Sequence, residues 1–201
     1  MASVTISPKD VAELRARTGA GMMDCKRALE EAGGDMDKAG EILRKKGMAK
    51  AEKRAGRTAS PGLVVIYIHH NSQVGMLLEI NSETDFVARN EAFQQLARDI
   101  ALHIASADPI GVSADDIPPA LLERERRIAE EQVAAEGKPE NVRAKIVEGK
   151  LKKFVAERTL LEQPYVRDDS KTVGDLVKEV SGRLGEAVTV HRFARFQVGV
   201  A

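Results

Sequence analysis

At 201 residues, with 31 Lys and Arg against 31 Asp and Glu, the chain is long enough for a true core and two domains and carries no net charge that would drive bulk binding to a polyanion. Its one cysteine, Cys25, can form neither an internal disulfide nor a cysteine zinc site, which fits a reducing compartment. Aromatics at 3% with no Trp predict an aliphatic core and exclude an extensive base-stacking surface; no apolar run could cross a membrane and the early Asp10 and Glu13 argue against a signal peptide, so a soluble, cytoplasmic protein is expected.

Ser7-Pro8-Lys9-Asp10 is a helix start, with a capping serine, a first-turn proline and an acidic residue three positions on; Val11 and Leu14 then supply the apolar face. Thr18-Gly19-Ala20-Gly21 stops that helix. A second is predicted over Met22 to Ala32, with Met22, Cys25, Ala28, Leu29 and Ala32 on one side, before Gly33-Gly34 breaks it. A third starts at Asp35, buries Met36, Ala39, Ile42 and Leu43, and ends on Arg44-Lys45-Lys46 and Gly47, a combination suited to a helix C-terminus. Residues 1–47 therefore read as a small three-helix bundle. Residues 48–61, rich in Ala, Gly and Ser with Lys50, Lys53, Arg54 and Arg57 against Glu52, read as a basic, solvated linker, and no RNA-binding role follows from so short a stretch.

Residues 62–201 read as an α+β core. Leu63-Val64-Val65-Ile66-Tyr67-Ile68 is apolar on both faces of a strand and so is predicted to be central; Asn71-Ser72-Gln73 turns it back into a strand in which Val74, Met76, Leu78 and Ile80 alternate. The segment Asn81 to Asn90 is then a strand-to-helix corner. Beyond it a helix over 91–105 carries Phe93, Leu96, Ala97, Ile100, Ala101 and Ile104 at three- and four-residue spacing, with Asn90 as its cap. Two long helices, about 120–136 and 141–162, flank Gly137-Lys138-Pro139 and predict an antiparallel helical hairpin. A last helix over 172–184 leads into a strand over 188–200, with Val188, Val190, Ala194, Phe196 and Val198 on one face and Arg192 interrupting it. That strand joins the hairpin in a small antiparallel sheet with helices packed on it.

The corner Thr84-Asp85-Phe86-Val87 has two readings. Connections between regular elements carry function more often than the elements do, and here an acidic and an aromatic side chain stand together. Equally, Ser82 and Asp85 have capping-box spacing, and Phe86 could anchor the corner in the core. Met22 and Met23 divide in the same way. They are either bundle packing with surface noise or, beside Arg15, a deformable patch for a partner.

No enzyme motif is present. The chain lacks Gly-x4-Gly-Lys-Ser/Thr, His-Glu-x-x-His and Gly-x-Ser-x-Gly, and Gly19-Ala20-Gly21 has neither the preceding strand nor the third glycine of a dinucleotide fingerprint. Adjacent His69 and His70 on a strand would point to opposite faces and could not easily share a metal; Cys25, on an apolar helix side, reads as a small buried hydrophobe. No cofactor or metal is expected.

The run Arg15-Ala16-Arg17-Thr18-Gly19-Ala20-Gly21-Met22-Met23-Asp24-Cys25-Lys26-Arg27-Ala28-Leu29, together with Thr84-Asp85-Phe86-Val87, resembles the bacterial elongation factor Ts family. The likeness continues, in the order that family shows, through Ile68-His69-His70-Asn71, Gly137-Lys138-Pro139, Lys145 to Leu151, Leu160 to Pro164 and Arg192-Phe193-Ala194-Arg195-Phe196. The resemblance implies a ubiquitin-associated-like N-terminal domain and a guanine-nucleotide exchange factor for the GTPase elongation factor Tu, without covalent chemistry. It implies that Thr84, Asp85, Phe86 and Val87 dislocate Mg²⁺ from that partner, and that Arg15, Met22 and Met23 bind it. With a single Thr-Asp-Phe-Val corner the chain resembles the short form of the family, which implies a homodimer and requires neither nucleic acid nor membrane. Ser82 stands where many relatives carry cysteine. Two alternatives remain open at this point: a non-catalytic protein-binding scaffold, or a ribosome- or RNA-associated protein using the basic stretch.

Overall fold

The computed structural model describes residues 6–200, so the ends of the expected domains, residues 1–5 and 201, lie outside it. The fold is α+β and divides into two compact units: the described residues through Gly62 with Asn81–Gln94 and Val177–Thr189, and Leu63–Ile80 with Gln95–Leu176 and the chain from Val190 onward.

The first unit opens with α1 (Pro8–Thr18), α2 (Met22–Glu31) and α3 (Met36–Glu52). The expected N-caps of α1 and α3 are present. Ser7 Oγ accepts from Asp10 N at 3.1 Å while the Asp10 carboxylate accepts from Ser7 N at 3.3 Å, and Asp35 Oδ1 accepts from the amides of Asp37 and Lys38 at 3.0 Å each. Gly19 closes α1 at φ 68°, a left-handed conformation that glycine adopts without steric cost. The three helices share one apolar cluster of Val11, Leu14, Cys25, Ala28, Leu29 and Ala39. Met22 does not join it: Met22 and Met23 are 51% and 64% exposed.

The third helix does not stop at Gly47. It runs on to Glu52, because what Gly47 provides is a close approach rather than an end: its backbone lies against that of Gly182, so near that a Cβ on Gly182 would fall 2.5 Å from Gly47 O. The basic stretch is helical through Glu52 and makes ion pairs at its surface. Lys50 pairs with Asp24 at 3.2 Å, Glu52 with Lys178 at 3.2 Å, and Arg57 with Glu83 at 3.3 Å.

The three-stranded sheet has the order β1 (Gly62–Ile68), β2 (Val74–Ser82), β5 (Val188–Gln197). Arg192 opposite Glu79 and Val198 N bonded to Gln73 O fix β5 antiparallel to β2. Met76, Leu78 and Ile80 are buried as their alternation predicts. The first strand, however, is an edge strand and not a central one. Its second apolar face, Val64, Ile66 and Ile68, is 67%, 70% and 60% exposed. The last strand also departs from a single apolar face: successive exposed residues His191 and Arg192 shift the alternation by one, so Val188 and Val190 are buried whereas Ala194, Phe196 and Val198 face out. His69 and His70 lie in the turn after β1, and their ring centroids approach to 4.2 Å instead of pointing to opposite faces.

After α5 (Glu91–Ala107), α6 (Pro119–Ala135) and α7 (Glu140–Arg158) form the expected helical hairpin about Ala129, Val133 and Val147. Arg158 ends α7 earlier than its sequence suggests, because residues 160 and 161 bond instead to the carbonyls of Gly111 and Val112. A two-stranded ribbon unannounced by periodicity, β3 (Pro164–Tyr165) with β4 (Asp168–Thr172), precedes α8 (Val173–Leu184).

Candidate functional site

The corner after β2 is built from the backbone outward. Ser82 N donates to Pro61 O at 2.8 Å and Asn81 Nδ2 to Ser60 O at 3.0 Å, fixing the end of the strand. Ser82 Oγ then donates to Thr84 O at 2.8 Å, so this serine braces the turn and does not cap a helix. The cap is Thr84. Its Oγ1 accepts from Val87 N at 3.4 Å and starts the single-turn helix α4 (Asp85–Ala88). Asn90 follows as the cap of α5, accepting from Ala92 N at 2.9 Å.

Consecutive residues of a helix are about 100° apart, so a single turn that buries two neighbours must turn the others outward. Val87 and Ala88 are the buried pair, at 6% and 4% exposure. Phe86 is therefore thrown out to 79% exposure, the most exposed large apolar side chain among the described residues. Beside it Asp85 is exposed and pairs with Arg89 at 2.7 Å, across the turn. The reading in which Phe86 anchors the core is excluded by this geometry. Burying such a ring against a partner would be worth about 1.5–3 kcal/mol, free energy that the isolated chain leaves unused.

Two glutamates, Glu83 in the corner and Glu186 from a distant stretch of sequence, tie the two stretches together. Glu186 accepts twice from Thr84, Oε2 from the amide at 2.9 Å and Oε1 from the hydroxyl at 2.7 Å. Glu83 accepts from Ala187 N at 2.7 Å and from Arg57 Nη1. The Ala187 amide, followed by the Arg57 guanidinium, holds the Glu83 carboxyl below its ordinary range, so it is ionised at neutral pH. None of Glu83, Glu186 and Arg57 was among the residues predicted for the site. Their partners lie 26, 102 and 104 positions away, beyond any local pattern.

Arg15, Met22 and Met23 are likewise on the surface, at the adjoining ends of α1 and α2. The extended Gly21 starts α2 without a side-chain cap, which leaves the two methionines projecting from its first turn. Just behind them Asp24 is bonded to Lys50 and Arg27; the Lys50 hydrogen bond, foremost, keeps its carboxyl below the ordinary value. All seven residues predicted for the site, Arg15, Met22, Met23 and Thr84 to Val87, fall within the first compact unit. Val87 alone is buried.

These surfaces project; they do not enclose. A small depression of about 230 Å³ lies elsewhere, between the β1–β2 turn and Phe196 to Val198, and is below the usual size of a ligand pocket of ~300–1,000 Å³. Among the described residues no three His, Cys, Asp or Glu gather to hold a metal ion. Cys25 is fully buried. No helix among those residues is long and apolar enough to cross a membrane.

The profile of the family described as elongation factor TS matches residues 3–200. The chain belongs to the elongation factor Ts family. Relatives bearing that name include the protein of Nitratidesulfovibrio vulgaris (strain DSM 19637 / Miyazaki F), 52% identical over 98% of this chain and 98% of its own length. Those of Caldanaerobacter subterraneus subsp. tengcongensis and Carboxydothermus hydrogenoformans are each 54% identical over 96% of this chain, covering 97% and 89% of their own lengths. Membership in the elongation factor Ts family makes this chain a translation elongation factor, and its projecting corner has to be read in that setting.

Proposed function

We propose that the protein is a guanine-nucleotide exchange factor that accelerates release of GDP from elongation factor Tu, acts in the cytoplasm and alters no covalent bond. The observation that carries this reading is Phe86, 79% exposed on a turn whose Val87 and Ala88 are buried and whose cap residue donates to Glu186. A GTPase holds its diphosphate through a phosphate loop, a lysine and Mg²⁺, and the ion is the largest charge on the phosphates. In this mechanism Phe86 is the wedge: it enters the partner beside the nucleotide site, gains by burial, and pushes aside the elements that hold Mg²⁺. Asp85 supplies polar contacts that keep those elements displaced, Thr84 caps the turn, and Val87 anchors it from within. Arg15, Met22 and Met23 form the patch that binds the same partner, two adaptable thioether side chains next to a cation.

Linkage constrains the cycle. A factor that weakens nucleotide binding by some ratio is itself bound more weakly to the loaded GTPase by that same ratio, so it favours the empty partner and leaves when GTP arrives. For the architecture we assign residues 1–47 as a ubiquitin-associated-like partner domain, 48–61 as the connecting stretch, and 62–201 as the core and dimerisation domain. A homodimer is supported by the exposed apolar strand faces Val64, Ile66, Ile68, Phe196 and Val198, since edges and patches of this kind are ordinarily covered. Release of a fluorescent GDP from elongation factor Tu, chased with unlabelled nucleotide, tests the proposal. Catalytic amounts of the chain should accelerate release; association with no acceleration would leave a scaffold in its place.

A further inference from the structure

We infer that Glu186 and Glu83 are positioning residues that hold the Thr84–Val87 turn in a fixed pose before any partner arrives. This inference rests on the exchange reading above. A helix of four residues cannot hold itself, since the first turn fixes several dihedrals for little hydrogen bonding in return. Its order must come from elsewhere, and the two glutamates supply it reciprocally. Residues 83 and 84 meet 186 and 187, and each stretch contributes one carboxylate that accepts from donors of the other.

The chemistry at Thr84 explains why a carboxylate is needed. Its hydroxyl has a single hydrogen, which goes to Glu186 Oε1 at 2.7 Å. The oxygen lone pairs are thereby turned toward Val87 N, at 3.4 Å, and this is the bond that starts the turn carrying Phe86. Oε2 meanwhile takes the Thr84 amide at 2.9 Å, so one side chain satisfies both donors of one residue. Gly185, at φ +80°, makes the left-handed turn that brings Glu186 round from the end of α8. Glu83 locks the opposite strand of the clamp through Ala187 N and Arg57. A turn held in this way loses little backbone freedom when its ring docks, which is the benefit of preorganisation.

The test is the GDP-release assay on the full chain, with Glu186→Ala, Phe86→Ala and the double variant, beside amide hydrogen exchange at Val87 in the free protein. Glu186→Ala should lower the maximal stimulated release rate roughly three- to tenfold, as expected for losing half-exposed charged hydrogen bonds. In the Phe86→Ala background the same change should cost nothing further, and Val87 N–H should exchange faster in Glu186→Ala. Additive losses in the two backgrounds, or an unchanged Val87 exchange rate, would overturn the inference. Should the alanine variant fail to fold, Glu186→Gln carries the same test, since it offers the two Thr84 donors only one acceptor. A wild-type chain that leaves GDP release unchanged would refute the exchange reading, and Val87 exchange alone would then decide the clamp.

Discussion

Alanine at Gly182 and alanine at Gly47 should shift stability in opposite directions, although the two residues face each other at one helix crossing. A Cβ on Gly182 would lie 2.5 Å from Gly47 O, 2.6 Å from its carbonyl carbon and 2.8 Å from its Cα, all backbone atoms that cannot rotate away. A Cβ on Gly47 meets only Gly182 Cα at 3.8 Å and its carbonyl carbon at 4.0 Å, an ordinary contact. Overpacking of this kind costs about 1–3 kcal/mol, while replacing glycine by alanine within a helix gains up to ~1 kcal/mol of propensity. Gly182→Ala should therefore destabilise by about 1–2 kcal/mol, and Gly47→Ala, in the interior of α3, should stabilise by up to ~1 kcal/mol. For a chain of this size each kcal/mol moves Tm by about 2–4 °C. Urea unfolding followed by circular dichroism reads the difference as a change in midpoint at constant slope. Equal stability of Gly182→Ala and wild type, or an equal loss in Gly47→Ala, would refute the close-approach account of why α3 runs past its glycine.

Burial, opposed in part by the hydrogen bond to Gln163, pushes the His103 imidazole below its ordinary value near 6.5. Its Nδ1 accepts from Val166 N at 3.3 Å and its Nε2 faces Gln163 Oε1 at 2.9 Å, an arrangement that suits the neutral ring with the proton on Nε2. The folded state then binds fewer protons than the unfolded state in this window, so stability is full above the unfolded pKa and is lost as pH falls through it toward the folded value. The urea midpoint should drop as pH falls below about 6.5, the ordinary histidine value, and His103→Gln should flatten that drop; an unchanged slope in the variant would contradict it. If the proposed homodimer forms through this sheet face, wild type should sediment as a dimer and Ile66→Asp as a folded monomer, because Ile66 is 70% exposed and its replacement leaves the core untouched. A dimer that persists in Ile66→Asp would move the interface off this face.

Features set by neighbouring residues could be read directly from sequence. The Ser7 capping box, the Asp35 cap, the Met76-Leu78-Ile80 alternation and the Glu91–Ala107 helix depend on contacts within a few positions, and all are found. What could not be read depends on distant chain. Whether Leu63 to Ile68 lies central or at an edge is decided by which strand pairs beside it, and β5 pairs on the far side of β2. Gly47 carries every local mark of a helix end and is overruled by Gly182, 135 positions on. The one-residue slip at His191 and Arg192 turns Phe196 outward against an otherwise consistent apolar pattern. At the site, the sequence offered Phe86 as either core or projection, and the burial of Val87 and Ala88 settles it. The glutamates that hold the turn were invisible for the same reason of distance.

The proposed dislodging of Mg²⁺ by Phe86 is tested most directly by comparing wild type with Phe86→Ala in stimulated GDP release, with Mg²⁺ present and with it chelated. Phe86 is so exposed that its loss should leave stability within about 0.5 kcal/mol, which a melt establishes first. With Mg²⁺ present, loss of a buried aromatic hot spot worth about 2 kcal/mol predicts a release rate roughly 30-fold lower for the variant. With the ion chelated, spontaneous release should rise and the two proteins should converge, since there is no longer an ion to displace. Equal rates with Mg²⁺ present, or a gap that survives chelation undiminished, would contradict the account.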